Sequence, residues 1–101
     1  MKTHDVDILQ IAREDISNIY YYISLDNPIA ALNMTEEILD KIDTLEEFPE
    51  RCPIVPDSVL AQQGYRMLII RNYIAFYKIF GSDVLVYRVL HGKQDYPQFL
   101  E

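Results

Sequence analysis

A chain of 101 residues, half of them apolar, suffices for one domain with a single core, spanning residues 1–101, and is too short for two. Its one cysteine, Cys52, excludes an intramolecular disulfide; with no long apolar run and no charged-then-apolar leader at its start, the chain reads as a soluble cytoplasmic protein without a membrane partner. The net charge of −7 is uneven: residues 1–50 hold three basic and twelve acidic residues, whereas residues 51–101 hold six basic and four acidic, so the two halves are suited to different surroundings.

Val6 and Ile8 alternate with Asp5 and Asp7, which predicts a short first strand. Ala12, Ile16, Ile19 and Ile23 recur at steps of four, three and four, an apolar helical stripe with Glu14, Asp15 and Asn18 off it. The stripe ends near Leu25. Asn27 is placed to cap a second helix and Pro28 to open it. Ala31, Met34, Ile38, Ile42 and Leu45 form the second stripe, which stops at Phe48-Pro49. So short a connection predicts an antiparallel helical hairpin. Residues 49–63, with three prolines, read as a surface loop. Strands are predicted over Arg66–Ile70, Tyr73–Phe80 and Val84–His91. The turns between them are Arg71-Asn72, with Asn72 suited to a positive φ, and Gly81-Ser82-Asp83. In the last strand, period-two alternation puts Val84, Val86, Arg88 and Leu90 on one face and Leu85, Tyr87, Val89 and His91 on the other. The result is an α+β fold, β-α-α-β-β-β, with the hairpin packed on a small antiparallel sheet. The second sheet face is left for a ligand, a partner or the C-terminal tail.

Local signatures match a known family in order. Ala12-x-x-Asp15-Ile16-x-x-Ile19-x-x-Tyr22-Ile23, Pro28-x-Ala30-Ala31, Ile42-x-x-Leu45-x-x-Phe48-Pro49, Tyr65-Arg66, Phe76-Tyr77 and Arg88-Val89-Leu90-His91-Gly92 together resemble the RelE/ParE family of small bacterial toxins. The resemblance implies the toxin of a type II toxin–antitoxin pair, held inactive by a cognate antitoxin. RelE-like members cleave mRNA on the ribosome; ParE-like members act on DNA gyrase. RelE-like members carry an arginine just after the first aromatic of the third strand, where this chain has Ile74, and a second cation on the preceding strand, where it has Met67-Leu68-Ile69. The Ile-x-Phe-Tyr third strand and the Leu-His-Gly ending resemble the ParE branch; the alternatives are a RelE-like ribosome-dependent nuclease and a degenerate toxin that only binds its antitoxin.

Were the chain a nuclease, Arg66 would steady the phosphate while His91 and Tyr96 moved protons. Each has a plainer reading: Arg66 as a sheet-edge ion pair, His91 as a strand-end imidazole packing beside Tyr87 or bonding backbone. Arg88 is expected to pair with an acidic helix residue. For partner binding the candidates are Arg66, Arg71, Arg88, Lys93 and Tyr96. Tyr20, Tyr21 and Tyr22 cannot share one helix face and read as core margin and surface. No spacing resembles a metal, phosphate-loop or dinucleotide motif, so neither metal nor cofactor is expected. The small basic excess of the second half is a poor footprint for nucleic acid.

Overall fold

A computed structural model describes residues 2–100. The chain runs β1 (Asp5–Ile8), α1 (Gln10–Ser24), α2 (Pro28–Asp43), α3 (Ser58–Gln62), β2 (Arg66–Ile70), β3 (Tyr73–Phe80) and β4 (Asp83–His91), with 3-10 turns at Thr44–Glu46, Pro49–Arg51 and Tyr96–Phe99. The Asn27 side chain accepts from the Ala30 N–H at 3.0 Å and Pro28 occupies the first turn of α2, as the sequence predicts. Helix α2 ends at Asp43, short of Phe48-Pro49, and a 3-10 turn carries Leu45 into the core. Residues 49–63 are not all loop: Asp57 accepts from the Leu60 N–H and starts the five-residue α3.

The four strands lie in the order β1-β4-β3-β2. Strands β2, β3 and β4 pair antiparallel, as expected, while β1 joins β4 in parallel and makes the sheet mixed. The β2–β3 turn places Arg71, not Asn72, in the left-handed region, at φ 54. Asn72 contributes its carbonyl, which accepts from the Gly92 N–H at 2.7 Å and ties the turn to the end of β4.

Both faces of the sheet are covered. On one, Ala12, Ile16, Ile38 and Ile42 of the hairpin pack with Leu68, Ile70, Ala75, Tyr77, Val84, Val86 and Val89. On the other, Phe76 and Leu90 pack with Val55, Leu60, Tyr65 and Leu100, so residues 55–65 and the C-terminal tail form a second, smaller core. Strict alternation fails in β4. A register shift between Phe76 and Tyr77 sets Phe76 opposite Arg88 and Tyr77 opposite Val86, so β4 carries one extra residue there. The bulge moves Val89 to the helix side and Leu90 to the tail side, reversing the faces that period two predicts beyond it.

Candidate functional site

Strand β1 pairs only with Asp83–Val86, so the rest of β4 has no strand on that edge. Helix α1 runs beside the gap. Between them lies an open cleft of about 690 Å³ lined by Asp15, Asn18, Tyr22, Tyr73, Arg88 and His91, among others. Asp15 closes one end. Its Oδ2 accepts from Arg88 Nε at 2.7 Å and from the Val89 backbone N–H at 2.9 Å; its Oδ1 accepts from Arg88 Nη2 at 2.8 Å. Arg88 Nη1 donates to the Phe99 carbonyl at 3.2 Å, and the guanidinium lies 5.3 Å from the Phe99 ring centre. The hydrogen bond from Arg88 to Asp15 raises the already high guanidinium pKa against the opposing effect of burial. The expected pairing of Arg88 with an acidic helix residue is therefore the bond to Asp15. Reading by residue type overlooked Asp15 as an anchor. Its signal was position: it flanks Ile16 and Ile19, at the edge of the buried stripe.

The three candidates for proton and phosphate chemistry do not converge. Arg66 lies opposite Tyr77, in the middle of β3, and its guanidinium donates to the Cys52 and Glu50 carbonyls at 2.7 and 3.1 Å. His91 lies opposite Tyr73, the first residue of β3, and on the far strand. Four residues of β3 and two strand spacings separate them, ~13 Å along the sheet and ~10 Å across it. His91 packs edge-on against Tyr73, with ring centres 5.4 Å apart, and its Nδ1 accepts from the Lys93 N–H at 3.1 Å. Tyr96 is on the opposite face, stacked on Phe76 at 4.9 Å.

Leu68 and Ile74 also part company. Leu68 faces the helices and Ile74 the tail, so the apolar pair on the tail face is Met67 and Ile74. A cation at position 68 would point into the main core.

Of the partner-binding candidates, Arg71 and Lys93 share a shallow pocket with Ile69, Ile74 and His91. Arg71 is bonded to Glu37 at 2.8 Å. Lys78 extends the second core's rim, its ammonium 4.4 Å from the Tyr65 ring centre and 5.1 Å from that of Tyr87. Most cations of the basic half are thus engaged within the fold. Among the described residues no cluster of His, Cys, Asp and Glu is arranged to hold a metal ion, and no helix is long and apolar enough to cross a membrane.

Residues 6–96 match the profile of the ParE toxin of the type II toxin–antitoxin system parDE. No curated protein sequence gives a significant match. Among solved structures, the chain resembles a chain of the chromosomal ParDE system of P. aeruginosa, with TM-score 0.73 at 21% identity over 88% of this chain and 96% of that one. It also resembles a chain of the RelBE2 toxin–antitoxin complex of Mycobacterium tuberculosis, with TM-score 0.64 at 19% identity over 88% of this chain and 98% of that one. At these identities the likeness speaks for the fold, and it agrees with the profile match over most of the chain: this protein belongs to the ParE toxin family of type II toxin–antitoxin systems.

Proposed function

We propose that this toxin acts by binding DNA gyrase in the cytoplasm, without cleaving RNA, and that a cognate antitoxin neutralises it. The observation that carries the reading is the separation of Arg66, His91 and Tyr96. Arg66 and His91 stand on different strands, four residues of β3 apart with β3 between them, and Tyr96 is stacked on the other face. General acid–base cleavage needs donor, acceptor and cation within hydrogen-bond reach of one phosphate. On the tail face Phe76 is fully buried beneath Tyr96, and the partly buried Met67 and Ile74 offer apolar contact but no charge to balance a phosphate backbone. Gyrase as the target rests on the resemblance to the ParE branch. The likeness to chains from two toxin–antitoxin systems supports an antitoxin partner, with a stable complex burying roughly 1,200 Å² or more.

The test pairs a supercoiling assay on purified gyrase with primer extension on translated mRNA. Loss of supercoiling without codon-positioned cuts is expected. Tyr96→Ala, which unstacks the tail from Phe76, should weaken the inhibition. Cuts that disappear in Arg66→Ala would replace this reading with ribosome-dependent cleavage of mRNA.

A further inference from the structure

The turn beyond the helical hairpin holds a bulky aromatic in a costly conformation. Phe48 sits in the left-handed region at φ 49, directly before Pro49. The turn needs that geometry, because Pro49 is buried and its carbonyl accepts from the Tyr77 hydroxyl. Glycine or asparagine would meet the need with less strain. The core does not need the phenyl ring, which is 72% exposed. Beside it an open pocket of about 470 Å³ runs from Phe48, Lys41 and Arg51 to Leu68 and Ile69 of β2. Lys41 has no ion pair among the described residues. The sheet ends at β2, and along its outer side the Met67 N–H donates to the Pro53 carbonyl at 3.1 Å. Period two in the ladder turns the Ile69 N–H and carbonyl to that same outer side, beyond the last of these bonds. The Ile69 residue is 62% exposed.

An apolar strand edge invites pairing, and natural proteins cover such edges or charge them. Here the edge stays open at Ile69, beside an aromatic that strains the fold. We propose that the β2 edge and the Phe48 ring dock an extended segment of the gyrase target, added to the sheet as a strand at Ile69, with an apolar side chain seated between Phe48 and Ile69 and a carboxylate facing Lys41. The proposal rests on the reading above that gyrase is the target. The chemistry of the edge selects this occupant. A second copy would offer its own β2, where Arg66 and Arg71 flank four apolar residues and no acid meets Lys41. Nucleic acid finds one unpaired cation in the pocket, with Glu47 beside it, which is a poor footprint for phosphates. An antitoxin can be matched to any toxin surface, whereas the target's surface is given. A side chain held against stability therefore points to the toxin's own activity.

The test uses the whole toxin, purified gyrase and a plasmid supercoiling assay, with the melting temperature of each variant measured beside it. Phe48→Gly should raise the half-inhibiting concentration about 30-fold, while its melting temperature stays or rises. Ile69→Lys, which charges the edge, should raise that concentration about 10-fold. Lys41→Gln should raise it about 5-fold and flatten its salt dependence. All three variants should bind the small protein encoded by the reading frame adjoining the toxin gene as the wild type does. A lower melting temperature in Phe48→Gly would show that packing holds the ring and would overturn its role as an anchor. Full inhibition by Phe48→Gly and Ile69→Lys would overturn the docking edge and leave the gyrase reading intact. Variants that lose the adjoining-frame protein and still inhibit gyrase would assign the edge to the antitoxin and overturn the proposed occupant. A toxin dimer dissolved by Ile69→Lys in sedimentation would overturn it in favour of a second copy. No inhibition by the wild-type chain would overturn the gyrase reading and the docking edge with it.

Discussion

Asp15 stands where a neighbouring strand would otherwise be. Strand β1 ends at Ile8, and beyond it the Val89 N–H would face the cleft unpaired; the carboxylate takes that N–H and both near nitrogens of Arg88. The Asp15 and Arg88 side chains are only 11% and 15% exposed. Asp15→Ala therefore leaves a largely buried guanidinium without its acid, and a backbone donor without an acceptor. The expected cost is about 3 kcal/mol in urea denaturation. Asp15→Ala with Arg88→Met should cost less than the sum of the single changes, because the second substitution removes the orphaned charge. Additive effects would show that the pair is not coupled. The partnership was legible as a type of contact, since a half-buried arginine in an apolar strand needs an acid. Which acid was not legible, because the bulge that aims Arg88 at α1 leaves no mark in a run of strand-forming residues.

At the scale of elements, what repeats was readable and what interrupts was not. The hairpin stripes and the spans of β2 and β3 follow from steps of three and four and from period two. The short α3 was hidden by its length, since five residues give no full period and the neighbouring prolines read as loop. The parallel seat of β1 depends on tertiary packing and has no local signal. Convergence of the candidate site residues was beyond the sequence for the same reason: register alone decides that Arg66 and His91 lie four residues of β3 apart, on the two strands that flank it. The α2 stripe gives a direct check of the main core. Ile38 is fully buried between the hairpin and the sheet, so Ile38→Ala should cost about 2–5 kcal/mol. A denaturation midpoint that does not move would show that the helices do not pack there as described.

For the whole molecule, phenols packed into both cores, Tyr73 and Tyr77 on the helix side and Tyr65 under the tail, make the protein sensitive to alkali. Burial is the first cause raising the phenol pKa values of Tyr65, Tyr73 and Tyr77; contact with Cys52 adds to it at Tyr77. The Tyr77 hydroxyl donates to the Pro49 carbonyl and the Tyr65 hydroxyl to that of Leu100. A folded pKa above the ordinary value of about 10 means that the folded state holds its proton longer than the unfolded chain. Stability from these groups is intact below about pH 10, then falls as the pH rises toward the folded values. For Tyr77 the limiting slope is about 1.4 kcal/mol per pH unit. Melting temperatures from about pH 9 upward should decline in step with phenolate absorbance, and Tyr77→Phe should make the decline shallower. A flat profile to about pH 12 would contradict the burial of these rings.

The parallel seat of β1 against β4 sets a time as well as a shape. Asp5 pairs with Asp83, and β4 lies between β1 and β3, so an inner strand of the sheet is among the last parts of the chain to be translated. At about 5–20 residues per second a ribosome spends several seconds on this chain. Throughout that interval the hairpin has half its sheet missing, and the first strand has no neighbour to join. A nascent chain released before Asp83 has neither the cleft nor the Asp15–Arg88 clasp. The cleft and the clasp therefore form only after β4 has been made, long after the two helices that flank them.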